Sequence, residues 1–281
     1  MSKRHGRQNR LFLDISGETR KEFGARSLRH IPSDRLHVST PTWWLQSHVH
    51  FSYAGHQDPV RDEFGVLRVL NDDIIQPLAG FNTHPHRDME LVMYIVEGEM
   101  LHRDSLGGTG LLPRGTVQYL GSGTGMTHSE MNQSNTAPLR FLQVWIKPDA
   151  RGYPPAYASR QCTREERHNK LKQLACGHQG LMASFSAGGG SGSLDMISLR
   201  QDANIFVSEA DPGVRQTFAL ERGRQAYLVC MEGALTVNGV VLEQRDALEA
   251  VAGNDQPLPL RFGASTETGA HFLVIEMSGV D

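Results

Sequence analysis

Two short stretches constrain this chain more than any others: Gly80-Phe-Asn-Thr-His-Pro-His-Arg-Asp-Met-Glu90 and, downstream, His128-Ser-Glu130. His84 and His86 stand at i and i+2, so on an extended strand both imidazoles point to one face. His128 and Glu130 repeat that spacing. Two strands that face each other through these residues bring three imidazoles and a carboxylate to one point. Such a set, with room for further ligands, suits a divalent transition metal. Iron(II) is a good candidate, because non-haem iron sites combine histidines with a carboxylate and leave positions open. The turn Gly121-Ser-Gly-Thr-Gly125 directly precedes the second pair, and glycine there lets the backbone turn tightly. A lone His-x-His is ordinarily a surface or turn feature. The repeated spacing is what argues for a metal here.

The rest of the chain sets bounds on that reading. A length of 281 residues accommodates one large domain or two of ordinary size. A hydrophobic content of 39% with 29 glycines and 13 prolines fits a globular, turn-rich protein. The formal net charge of -3 gives no basic field for direct nucleic-acid binding. No apolar run reaches the length of a membrane span and no apolar leader opens the sequence, so a soluble protein is expected, in the cytoplasm with the nucleus left open. Cys162, Cys176 and Cys230 are widely spaced without a Cys-x-x-Cys, as in an intracellular protein with reduced thiols.

Taken in order, residues 1–10 are polar and basic and predict a disordered arm, followed by a short strand or helical turn at 11–15. The segments 48–53, 64–70, 91–96, 117–120 and 139–146 read as strands by alternation or by continuous apolar content. Asn71-Asp-Asp73 predicts a turn, and His102 an outward-facing position beyond the turn at Glu97-Gly98. His48-Val-His50 is a rival metal pair, but no turn and His-x-Glu partner accompanies it. Tyr153-Pro-Pro-Ala-Tyr157 reads as a stiff linker, and Thr163-Arg-Glu-Glu166 as the capped start of a polar helix running to about Leu174. Ala187–Ser193 is a glycine-rich flexible loop. Many short strands joined by Gly, Pro and Asn turns predict an all-β chain of antiparallel barrels. Glu232-Gly233 echoes Glu97-Gly98, and aligning the two puts Ala219 and Glu221 where the first half has His84 and His86. The last quarter offers only His271. Two related barrels and one metal per chain are the expectation.

These residues also resemble a known family. Glu97-Gly98, the Gly123, Gly125 and His128 turn, and the paired His-x-His and His-x-Glu are similar to cupin motifs. Trp44-Leu-Gln-Ser47, Phe51-Ser-Tyr53, Leu67-Arg-Val-Leu-Asn71, Thr83-His-Pro-His-Arg-Asp-Met-Glu90, His102-Arg-Asp-Ser105 and His128-Ser-Glu130 together resemble pirin-type bicupins, densely in the first half and loosely in the second. The resemblance implies two cupin (jelly-roll) β-barrels in tandem with a few short helices. It implies an N-terminal extension over residues 1–42, partly disordered, a metal-binding cupin domain over 43–160 and a C-terminal cupin domain without metal over 161–281. It further implies one Fe(II) per chain, with Mn, Ni or Cu as alternatives, held by His84, His86, His128 and Glu130.

Glu90 competes with Glu130 for the fourth ligand position, as cupins often use a glutamate after the His-x-His. Four residues beyond His86 an unbroken strand has advanced about 13 Å, and only a turn would bring Glu90 back to the same ion. The pirin pattern gives that place to the glutamate of His-Ser-Glu, so the resemblance implies Glu130, with Glu90 beside the ligands or at the core edge. The activity implied is that of a quercetin 2,3-dioxygenase acting on a small, aromatic, flavonol-like substrate and O2, with Glu130 as the catalytic base. Phe81, Met93, Met126, Phe141 and Trp145 are candidate pocket walls, and each reads equally well as plain barrel core. The alternative is a non-enzymatic iron- or redox-responsive regulator whose protein partner reads a surface near the site, with Arg87 and Arg103 as candidates. A monomer is expected in either case.

Overall fold

A computed structural model describes residues 10–13, 19–23, 26–177 and 196–279, with side chains described from residue 27 onward. The residues predicted as a disordered arm (1–9 of it) and the glycine-rich loop at 187–193 lie outside the described residues. The chain divides into two compact units, residues 36–207 and residues up to 35 together with 208–281.

In the first unit a seven-stranded sheet runs in the order Ala156–Gln161, Thr116–Gly121, Glu90–Glu97, Leu139–Ile146, Leu67–Ile75, Leu45–Val49 and His37–Thr42. A four-stranded sheet has the order Thr109–Pro113, Glu99–Asp104, Met126–Asn132 and Gly80–His86. The pairings between these strands are antiparallel. Leu91, Met93, Ile95, Leu120, Leu139 and Phe141 belong to one apolar cluster. They alternate along three neighbouring strands, as the two-residue period of a strand requires when one face lines a barrel interior.

Three local expectations are corrected here. Asn71, Asp72 and Asp73 form no turn: they continue the Leu67–Ile75 strand and are 1%, 0% and 1% exposed. Asp72 is held there by Arg140, whose Nε and Nη2 donate to its two oxygens at 2.8 and 2.5 Å. The helix at 164 ends at Arg167 after four residues. Its start is capped as predicted, with Thr163 N–H donating to Glu166 Oε2 at 2.9 Å. The polar segment has no apolar face to bury, and Asn169 at φ +57° turns the chain into the strand Lys172–Cys176. The proline segment leads directly into a strand that pairs from Ala156 onward with Thr116–Gly121, so it is no linker between domains.

The second unit contains six consecutive strands of one sheet, Arg10–Leu13, Thr19–Phe23, Arg26–Ile31, Ala247–Val251, Arg224–Gly233 and Ala270–Ser278. A four-stranded sheet, Arg215–Leu220, Leu258–Ala264, Leu235–Val237 and Val240–Leu242, completes it. Residues 10–31 were expected in an extension outside the barrels. They instead supply three of these strands, and Leu28 and Ile31 are fully buried. His30 Nε2 lies 2.8 Å from Asp246 Oδ2, and Ser33 N–H donates to Asp246 Oδ1 at 2.7 Å. Burial opposes ionisation of Asp246, but these bonds and the N–H of Glu243 hold its carboxyl below the usual range.

Candidate metal centre

The site sits where the Gly80–His86 and Met126–Asn132 strands pair. Their register sets Met126 opposite His86, His128 opposite His84 and Glu130 opposite Phe81, with an irregularity between His128 and Glu130. Gly80 permits this approach, since a Cβ there would lie 2.1 Å from the Glu130 carbonyl oxygen. The turn before the second strand depends on Gly123, at φ +43°, where a Cβ would meet the Tyr153 carbonyl at 1.9 Å. Both glycines are required by the backbone path alone.

On this frame the rings of His84 and His128 are 4.4 Å apart, those of His84 and His86 4.8 Å and those of His86 and His128 4.9 Å. Each offers a nitrogen within 4.8 Å of the others, an arrangement that could hold a metal ion. His84 Nδ1 is 2.8 Å from the Asn82 carbonyl oxygen. That contact makes Nδ1 the protonated nitrogen and leaves the Nε2 lone pair for a ligand, the orienting arrangement common at metal sites. Glu130 Oε1 is 3.4 Å from His128 Nδ1, and both side chains are fully buried.

Burial, followed by the neighbouring His84, pushes the His86 imidazole down to about 4. Burial, then His84, His86 and His102, pushes His128 to about 2. Both rings are therefore neutral near pH 7, the form that binds metal. Burial, then Asp73, raises Glu130 to about 8. Glu130 thus holds a proton until a cation reverses the local balance. The residues fit a metal on a further count: both nitrogens of His128 and both oxygens of Glu130 are buried without a hydrogen-bond partner. Such atoms are costly unless something satisfies them. A divalent ion does so with nitrogen and oxygen donors of the type present.

The other predicted site residues are distributed unevenly. Trp145 stands edge-on to His86 at 5.1 Å, Phe81 lies 5.9 Å from His84, and Met126 is the register partner of His86. Met93 and Phe141 are fully buried within the apolar cluster, where Met93 Sδ accepts from Gln118 Nε2 at 3.3 Å. Glu90 accepts instead from Tyr119 Oη at 2.8 Å and from the Arg200 backbone N–H at 2.7 Å. Both bonds use Oε1, and Oε2 is buried without a hydrogen-bond partner among the described residues. His48 and His50 take no part in the histidine triad. Arg87 and Arg103 are exposed.

Several neighbours were not foreseen. His102, expected to face outward, is the register partner of Glu130 and is fully buried. Its Nε2 lies 2.8 Å from Asp104 Oδ2, and its ring stacks on Tyr157 at 4.6 Å. Tyr53 packs edge-on against Trp145 at 5.7 Å. Burial, then Asp73 and Glu130, pushes its phenol up to about 12. The period of two from Met100, a member of the apolar cluster, could have flagged His102 as sharing the interior face. Tyr53 belongs to the Phe51-Ser-Tyr53 string of the resemblance, but no site role was expected of it.

The geometry agrees with what the chain is similar to. Residues 32–146 match the family model described as Pirin, and residues 185–277 match that of the quercetinase C-terminal cupin domain. A Pseudomonas aeruginosa protein, provisionally named a quercetin 2,3-dioxygenase, is 40% identical over 226 residues, 80% of this chain and 90% of that protein. The quercetin 2,3-dioxygenase of Escherichia coli K12 is 34% identical over 73% of this chain and 82% of its own. The crystal structure of the bacterial pirin YhhW from Escherichia coli, in complex with nickel(II), superposes with a TM-score of 0.75 at 27% identity. That alignment covers 90% of this chain and 100% of YhhW. This chain belongs to the pirin family, as a bicupin similar to quercetin 2,3-dioxygenases.

Proposed function

We propose that the protein is a metal-dependent dioxygenase that opens the heterocyclic ring of flavonol-like substrates, with iron(II) held by His84, His86, His128 and Glu130. The observation that carries this reading is the cluster of three imidazoles with a buried carboxylate, Glu130, beside His128, whose two oxygens have no hydrogen-bond partner among the described residues. When bound, the metal supplies Lewis acidity toward the substrate's 3-hydroxyl and 4-carbonyl oxygens and a place for dioxygen to react, with loss of carbon monoxide on ring opening.

The chain's own residues supply the rest. A Glu130 oxygen takes the proton of the substrate 3-hydroxyl, a general-base role for a carboxylate within hydrogen-bond reach of a bound hydroxyl. Burial keeps that proton on the carboxyl rather than in solvent once transferred. His84, fixed by the Asn82 carbonyl, presents one nitrogen in a constant direction. Trp145 and Phe81 flank the histidines and offer flat apolar surface to an aromatic ring. The small-molecule and dioxygen chemistry is supported by relatives named as quercetin 2,3-dioxygenases.

The test follows quercetin loss and carbon monoxide release in the iron-reconstituted protein and in Glu130→Ala, with metal content measured in each. The proposal predicts turnover in the parent and a loss of at least about a hundredfold in the variant, the usual scale of a general base. Cleavage at the parent rate by Glu130→Ala with intact iron sinks the base assignment. Iron bound firmly by the parent without turnover favours the redox-responsive regulator instead.

A further inference from the structure

We propose that Asn71, Asp73 and Gln143 form a recognition strip for the ring hydroxyls of the bound substrate, making polyhydroxylated aromatics the preferred class. The inference rests on the flavonol-binding reading above and deepens it. Asn71 and Gln143 are direct cross-strand partners on the Leu67–Ile75 and Leu139–Ile146 strands. Asp73 lies two residues beyond Asn71 and so shares its face. Met93, the next cross-strand partner of Gln143, belongs to the apolar cluster on the interior face of the first unit's strands. The strip therefore faces the barrel interior.

All three side chains are at most 5% exposed. Both amide atoms of Asn71, Oδ1 of Asp73 and Oε1 of Gln143 are nevertheless buried without a hydrogen-bond partner, as is Nε1 of Trp145. Native proteins pair nearly all such atoms, so a run of them on one interior face calls for a partner from outside the chain. Trp145 connects the strip to the histidines: it is two residues from Gln143 on the same face, about 7 Å along the strand. Its ring is edge-on to His86. The strip offers donors (Asn71 Nδ2, Trp145 Nε1) beside acceptors (Asn71 Oδ1, Gln143 Oε1). A hydroxyl, which donates and accepts at once, complements that mixture, and an apolar ring edge does not.

The experiment compares quercetin with 3-hydroxyflavone, which keeps the chelating 3-hydroxyl and 4-carbonyl and lacks the other hydroxyls. Two readouts are taken on the metal-loaded protein: kcat/KM under air, and Kd from tryptophan fluorescence quenching without oxygen. The parent should favour quercetin by about tenfold or more in both, since each hydrogen bond to a ring hydroxyl contributes roughly three- to tenfold. In Asn71→Leu/Gln143→Met the preference should fall to within about threefold of unity, on the same scale. Gln143→Met alone, expected to lose part of the preference, serves if the double variant does not fold. A parent that binds both flavonols alike, or variants that keep the full preference, overturns the strip and leaves the dioxygenase reading standing. A parent that binds neither overturns both.

Discussion

Replacing Glu130 by Met should make the metal-free protein more stable while abolishing its response to metal. The carboxyl is fully buried, both its oxygens lack a partner, and its pKa is raised to about 8 from 4.5. Between those values the folded state binds a proton that the unfolded state releases, so stability from this group is fully present below about pH 4.5 and falls as pH rises toward 8. At pH 7 the unfolded carboxylate has gained about 3 kcal/mol that the folded one has not. Met, of similar length and without polar atoms, removes that penalty. For a unit of 150–250 residues the gain corresponds to about 6–12 °C in Tm. At pH 5 the ionisation difference shrinks to about 1 kcal/mol, and the gain should shrink with it. Calorimetry on chelator-treated protein, with metal content verified, measures both, and repetition with excess iron(II) measures the metal-linked rise in Tm expected of the parent alone. A metal-free Glu130→Met that melts below the parent at pH 7, or one that keeps the parent's metal-linked rise, refutes the reasoning.

Other consequences concern the frame. Arg140→Ala leaves Asp72 buried and uncompensated and should cost about 3–5 kcal/mol in urea unfolding, whereas a change under 1 kcal/mol would mean the pair is dispensable. Leu28→Ala should cost about 2–5 kcal/mol, because the side chain is fully buried; no measurable change would return residues 26–31 to a dispensable arm. Burial lowers His50 to about 3 from 6.5, so its contribution is complete above pH 6.5 and is lost as pH falls toward 3. Relative to His50→Phe, the parent should lose roughly 2 kcal/mol between pH 6.5 and 5, and parallel stability curves for the two proteins would contradict this.

What could be read from the sequence was what local spacing controls. The His-x-His and His-x-Glu repeats lie on paired strands because strand alternation fixes which way neighbouring residues point, and the glycines around them are where backbones approach. The unbroken strand assumed from His86 to Glu90 is interrupted, since one strand ends at His86, Asp88 takes φ +49° and the next strand starts at Glu90, so strand rise does not separate Glu90 from Glu130. What escaped depends on partners distant in sequence. Asn71-Asp-Asp73 has the composition of a turn, and only Arg140, which follows Asp72 by 68 residues, makes it a buried strand. The 26–31 strand looks polar until its pairing with 247–251 is known. His102 was missed because its burial comes from flanking strands, not from its neighbours in the chain.

The central claim is tested most directly by titrating iron(II) into metal-free protein under anaerobic conditions, then admitting oxygen and following quercetin loss together with oxygen uptake. The account predicts turnover that rises with iron and breaks at one equivalent per chain, one oxygen consumed per quercetin, and no iron-dependent turnover in His84→Ala. Quercetin loss independent of iron, or iron bound at one equivalent with no oxygen consumed, would contradict it.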